Sequence, residues 1–260
     1  MIPQSEIIIM AAVAVISVLL PFIFMFILRK KFKIRWLPFL LGMAIFLVFV
    51  LILEQIMHSL VLSPEPDGTI ALISSSPWLY VLYGVFAAGI FEETGRLLAF
   101  FITKKHYRDI DSAVSYGIGH GGFEAIAIVG LGMISSIVIA MLINSGSDAL
   151  SGLPVAAEDL VVSQPWYMYL VAIMERVIAM SLHIALSVIV FSAVMMKGKW
   201  WLYPLAILLH ALANTTAAMM QAGLLTNIYL MYAGLILITA ITIFIAVRLV
   251  KDYRTNIYSL

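Results

Sequence analysis

The sequence predicts an all-α, polytopic membrane protein of about seven transmembrane helices, with its N-terminus outside and its C-terminus in the cytoplasm. Three observations predict this. Apolar runs long enough to cross a ~30 Å hydrocarbon core recur along all 260 residues. The composition is 63% hydrophobic and 11% charged, with a mean hydropathy of +1.09, and helices that satisfy their own backbone are the economical way to carry such a chain through lipid. Charges of opposite sign fall in alternate connections between the apolar runs.

The predicted spans are 5–29, 36–62, 78–103, 111–143, 166–196, 202–223 and 228–249. The first has no basic segment before it and no small-residue cleavage site after it, so it reads as a retained helix. The fourth and fifth exceed what a simple crossing needs, which calls for tilt, a kink or a break. Connection 63–77, with Pro64, Pro66, Gly68 and Pro77, reads as a loop. Connection 145–165, with Gly146, Gly152, Pro154 and Pro165, reads as a loop carrying one interfacial turn. No internal repeat, low-complexity tract or soluble domain interrupts the pattern, so 1–260 is expected to be one integral membrane domain.

Lysine and arginine set the orientation. Arg29, Lys30, Lys31, Lys33 and Arg35 follow span one, and Lys104, Lys105 and Arg108 follow span three. Lys197 and Lys199 follow span five, and Arg248, Lys251 and Arg254 follow span seven. The alternate loops hold only acids: Glu6, Glu65, Asp67, Asp148, Glu158 and Asp159. The positive-inside rule then fixes the odd number of crossings as N-out and C-in. The absence of cysteine excludes disulfides, thiolate metal sites and a cysteine nucleophile.

Against this background, five carboxylates and four of five histidines lie within the apolar spans. Charge at bilayer depth is costly and usually faces a protein or water-filled interior. The groups fall in short patterns: Glu92-Glu93-Thr94-Gly95-Arg96, His120-Gly121-Gly122-Phe123-Glu124 and His210-Ala211-Leu212-Ala213-Asn214. Counted from the cytoplasmic ends of their spans, Glu92 and Glu93 lie about 15–18 Å deep, His120 about 15 Å and Glu124 about 20 Å. His183 falls near ~20 Å, His210 near ~12 Å and Asn214 near ~18 Å. Four helices thus bring polar groups to one layer, and the polar core is expected over about 78–215. Glu92 and Arg96, at i,i+4, share a face and can pair, while Glu93 points about 100° away. One glutamate can then be held by arginine while the other faces a cavity.

Each pattern also has an ordinary reading. Glu92, Glu93 and Arg96 can be an ion pair fixing helix register, although a second glutamate exceeds what packing needs. The glycines Gly117, Gly119, Gly121 and Gly122 suit a close-packing seam better than a substrate-approach surface. Asn214 alone would be interhelical glue. Glu54 with His58 fits a structural pair as well as a gate, and Glu175 with Arg176 fits a structural role.

At its three patterns the chain resembles the superfamily of type II CAAX prenyl endopeptidases and bacteriocin-processing membrane proteins. Within it, the chain is most similar to the YhfC-type intramembrane metalloproteases. The resemblance rests on Glu92-Glu93 with Arg96, on Tyr116 with His120, and on His210 with Asn214. The arginine stands one residue closer to the glutamates than in CAAX enzymes, and tyrosine replaces the usual phenylalanine. The closer spacing resembles the PrsW-type branch, whose second motif ends in a glutamate, a role open to Glu124. The resemblance implies hydrolysis of a membrane peptide or lipidated protein. The superfamily also contains a scaffold subunit of gamma-secretase that is not catalytic, so membership leaves activity open.

The residues allow two versions of that chemistry. In one, Glu92 or Glu93 activates water, His120 orients it, and His210 and Asn214 donate to the oxyanion. In the other, His120, Glu124, His183 and His210 bind zinc, with a glutamate of the pair as base. No His-Glu-x-x-His motif is present, yet three histidines at similar depth favour the metal. A proton-coupled transporter and a peptide-binding scaffold or immunity protein are the competing classes. The partners expected are the lipid bilayer and a membrane-embedded or lipidated substrate, not nucleic acid. The location expected is the bacterial cytoplasmic membrane.

Overall fold

The structure is a computed structural model describing residues 1–63, 69–147, 150 and 161–257. Pro64, Glu65, Pro66, Asp67, Gly68, Asp148, Gly152, Pro154, Glu158, Asp159 and most of the turn expected within 145–165 lie outside the described residues. Among the described residues the secondary structure is helical, without strands. Seven long helices stand where the apolar runs predict spans. They are α1 (Gln4–Leu28), α2 (Trp36–Leu62), α3 (Pro77–Thr103), α4 (Ile110–Ser145), α5 (Tyr167–Met195), α6 (Leu202–Gln221) and α7 (Ile228–Ile257). Helix α7 runs eight residues past the expected edge, and a five-residue helix, Ala71–Ser75, precedes α3.

All but α3 are long and apolar enough to cross a membrane. Helix α3 has the length, at 27 residues, but carries Glu92, Glu93 and Arg96 within it, all buried. Lipid-facing surface is supplied instead by exposed apolar side chains on every long helix, such as Phe22, Leu53, Ile102, Val138, Leu170, Leu212 and Phe244. The chain is therefore a polytopic helical membrane protein.

Local chemistry sets the ends. Pro77 opens α3, where a missing N–H costs nothing. Asp109 caps α4 by accepting from the Ser112 amide at 2.8 Å. Gly146 closes α4 in the left-handed region, its N–H returned to the Ile143 carbonyl. Two helices are interrupted by π-helical stretches, Phe46–Glu54 in α2 and Ala125–Gly130 in α4. The second begins directly after Glu124 and supplies the irregularity that the length of span four calls for.

Helix α4 is the hub, and its glycines are the reason. A methyl group on Gly117 would stand 2.5 Å from the Ile184 Cα, and one on Gly121 would stand 3.1 Å from the Met180 Cα, so α4 and α5 touch backbone to backbone. On the other side Gly119 lies against the Phe39 carbonyl, and Gly42 of α2 lies against the Tyr116 carbonyl. Close approach through small residues is how membrane helices gain packing energy when burial from water is not available. The glycine run is thus a packing seam, and it draws His120 and His183 together.

The two ends of the bundle differ in charge. At one end Arg35 pairs with Asp109 at 2.7 Å, Arg254 lies over Phe32, and the Tyr253 hydroxyl donates to the Arg108 carbonyl. At the other end the Ile2 amide donates to Asn144 Oδ1 at 2.6 Å. The basic connections therefore gather on the side away from the N-terminus.

Candidate active site

Four helices deliver the expected polar residues to one buried centre. Glu92, Glu93 and Arg96 come from α3, His120 and Glu124 from α4, His183 from α5 and His210 from α6. Glu93, Arg96 and His120 have no exposed surface at all. In a low-dielectric interior each of these groups needs a partner, and the partners divide the glutamate pair.

Arg96 pairs with Glu93, not with Glu92 as the i,i+4 spacing suggests. Positions i and i+3 also share a helix face, and this choice lets the guanidinium reach across to donate to His183 Nδ1 at 3.1 Å. Glu93 accepts in turn from His210 Nδ1 at 2.7 Å. With its Nδ1 proton held there, His210 presents Nε2 as a lone pair toward Glu92 Oε1, 3.7 Å away. Glu93 is thereby enclosed by Arg96 and His210.

Glu92 takes the other role. Its Oε2 accepts from His120 Nε2 at 2.8 Å and lies 3.8 Å from His183 Nδ1. His120 is held by a stacked Tyr116 ring at 5.9 Å and an edge contact with Phe46 at 5.2 Å. Its Nδ1 is buried without a hydrogen-bond partner.

Glu124 leaves its own helix neighbour His120 and binds Arg176 of α5 at 2.6 Å. Its second oxygen stands 2.8 Å from His183 Nε2, out of alignment for a hydrogen bond. Arg176 also pairs with Glu175 at 2.6 Å, and the Tyr232 hydroxyl donates to Glu175 at 3.4 Å. Glu175 and Arg176 thus form a pair, and Tyr232, which no short pattern marks, joins them. The signal available was Arg176 itself, an intramembrane arginine seven residues from His183 on one helix face.

A cavity of about 330 Å³ opens beside this network. Glu92, Glu124, His183, His210 and Asn214 reach it, whereas Glu93, Arg96 and His120 do not line it. Its remaining walls include Met168 at the start of α5, Gln221 at the end of α6 and Ile228 at the start of α7. The cavity therefore runs from mid-bundle toward the end opposite the basic residues. Glu54 and His58 stay apart from it, 3.3 Å from each other, with His58 bonded to the Tyr83 hydroxyl at 2.9 Å.

One cluster has the composition of a metal site. Glu92, His183 and His210 are all buried, and one ligand atom from each lies within 4.8 Å of the other two. Ligands 2.0–2.1 Å from a tetrahedral zinc stand roughly 3.3–3.4 Å apart; here Glu92 Oε1 lies 3.7 Å from His210 Nε2, and the other oxygen, Oε2, lies 3.8 Å from His183 Nδ1, whose bond from Arg96 an ion would have to displace. Charge points the same way. Glu92, Glu93, Glu124 and Glu175 face two permanent cations, Arg96 and Arg176. The expected ligand set overlaps the cluster at His183 and His210, while His120 and Glu124 flank it.

A model of the YhfC intramembrane metalloprotease family matches residues 16–235. The chain belongs to this family. It is 34% identical, over 98% of its length and the whole of the relative, to the uncharacterized membrane protein YhfC of Bacillus subtilis (strain 168). No solved structure matches. The matched span contains the whole of the buried network, from Glu92 to Tyr232.

Proposed function

We propose that the chain is an intramembrane endopeptidase that hydrolyses a membrane peptide or lipidated protein at the Glu92–His183–His210 cluster, with zinc as its metal. The observation that carries this reading is that cluster's position: three buried ligand groups at the inner end of a polar cavity. His183, His210 and Glu92 would hold the ion, a two-histidine, one-carboxylate set suited to a catalytic site that keeps a position for water. When bound, zinc supplies a water of lowered pKa and polarises the scissile carbonyl.

The chain's own residues do the rest. Glu124, the other carboxylate on the cavity wall, would accept the water proton on its unpartnered oxygen, and His120 at Glu92 Oε2 steadies the ligand carboxylate. The oxygen–carbon bond forms, the carbon–nitrogen bond breaks, and the proton passes to the leaving amine. Asn214, on the cavity wall, donates to the carbonyl oxygen as it gains charge. Glu93 holds His210 by its Nδ1 proton, and Arg96, paired with Glu93, would release His183 Nδ1 to the ion.

The motif matches support placing the family within the CAAX and PrsW-like superfamily. The one-sided basic residues and the Bacillus relative support an N-out, C-in protein of the bacterial cytoplasmic membrane, acting as one domain over 1–260. The test uses the full chain purified in detergent. Bound zinc near one equivalent, with cleavage of a hydrophobic peptide that stops in Glu92→Gln, supports the enzyme. Ion flux in liposomes without cleavage would replace it by the transporter. Peptide binding that is indifferent to Glu92→Gln, without cleavage in either protein, would replace it by the scaffold.

A further inference from the structure

An apolar groove of about 510 Å³ runs along the outside of the bundle between α5 and α7, with walls that include Val171, Met174 and Ala233. Three of its residues, Met168, Ile228 and Tyr232, also line the polar cavity. Groove and cavity are thus two sides of one thin wall. Two other apolar grooves, one beside Ala14 and Ile137 and one beside Trp78 and Leu208, share no residue with the cavity.

The wall is fastened by polar contacts that lead to the centre. The Tyr232 hydroxyl donates to Glu175 at 3.4 Å, and Glu175 and Glu124 both bind Arg176 at 2.6 Å. Glu124 then faces His183 at 2.8 Å. Tyr232 is bound to the rest of the wall by one long hydrogen bond and by packing, so it is the part of the wall that opens most cheaply. Met168 is unbranched and adapts its shape with little strain.

We propose that this groove is where the transmembrane segment of the substrate docks, and that Tyr232 is the latch it displaces to reach the cavity. The occupant is a hydrophobic single-span peptide. The groove offers lipid-exposed apolar walls, including Met174 and Ile236, and leads within one side chain to groups that can receive an unwound peptide backbone. The proposal rests on the endopeptidase reading but is tested without turnover.

The probe is a synthetic single-span leucine–alanine peptide with one central diazirine residue, added to the Glu92→Gln protein in nanodiscs. Crosslinks are expected on α5 and α7 around Val171 and Ala233. Val171→Trp, which fills the groove, should cut labelling at least about ten-fold, and the same substitution in the otherwise unaltered chain should leave zinc content unchanged. Val18→Trp, in the groove between α1 and α4, should leave labelling as it was. Tyr232→Phe, which removes only the latch bond, should raise labelling about two- to ten-fold, the range one hydrogen bond allows. Ala233→Leu serves as a milder filler if Val171→Trp does not fold. Labelling that maps elsewhere, or that neither filler reduces, overturns the docking site. Competition by a phospholipid as effective as by unlabelled peptide overturns it in favour of lipid. Either result leaves zinc binding and cleavage by the unaltered chain standing, whereas no cleavage by the unaltered chain would sink the endopeptidase reading and leave the groove.

Discussion

Glu93→Gln isolates the central claim about the glutamate pair, because it changes one atom of a fully buried group. Glu93 Oε1 accepts from both Arg96 and His210, and Oε2 accepts from Arg96 again. A glutamine fills the same volume but offers one oxygen and one amide. Whichever way it turns, its N–H groups point at a donor. If the amide replaces Oε2 it opposes the guanidinium, and if it replaces Oε1 it opposes both Arg96 and His210. Arg96, without exposed surface, is left without its charge partner. Breaking a buried ion pair from one side costs about 3–5 kcal/mol. For a chain of this size that corresponds to a fall of roughly 6–20 °C in the unfolding midpoint. Glu92→Gln, one residue away, leaves no buried arginine unpaired and costs the ~0.5–1.5 kcal/mol of a lost hydrogen bond, or roughly 1–6 °C. The assay is thermal unfolding of both variants in one detergent, followed by intrinsic tryptophan fluorescence from the five tryptophans. A Glu93→Gln, Arg96→Met double variant should recover most of the loss, since removing both charges is often close to neutral. Equal midpoints for the two single variants, or a larger fall in Glu92→Gln, would refute the division of roles.

Further outcomes follow from the same geometry. Glu92→Gln should remain folded yet lose cleavage and most bound zinc, read by elemental analysis beside a peptide assay. His183→Ala should also lose zinc, and normal metal content with normal turnover would remove α5 from the site. Because imidazole and carboxylate bind metal only when deprotonated, zinc occupancy should be full near pH 8 and fall as pH drops toward 5, with chelator release fastest at the acid end. Gly119→Ala should abolish folded expression, since its methyl group would fall on the Phe39 carbonyl oxygen, whereas Gly132→Ala meets nothing within 4 Å and should be neutral or stabilising. A reporter fused after Leu260 should be active only in its cytoplasmic form, and activity only in its external form would overturn the orientation.

The long helices were legible in the sequence because hydropathy over about twenty residues is a local property that lipid enforces directly. The charge segregation was legible for the same reason, and the structure gathers the basic connections of α1, α3 and α7 at one end. The depth of Glu92, His120, His183 and His210 could be counted along straight helices, and even His183, outside the three short patterns, was brought into reach that way. Partner choice was not countable. Spacings of three and four residues both put side chains on one face, so sequence could not say that Arg96 takes Glu93 and frees Glu92. Glu124 has a histidine four residues before it but turns to an arginine fifty-two residues away, which only the packing of α4 on α5 makes available. The cavity likewise belongs to no helix: it is the space that α5, α6 and α7 leave when Gly117 and Gly121 pull α5 onto α4. What the sequence determined by itself was which groups are set within apolar helices, since that depends on a single helix and its solvent. Which of them touch depends on contacts between helices, and those are decided by sterics that no one-dimensional spacing records.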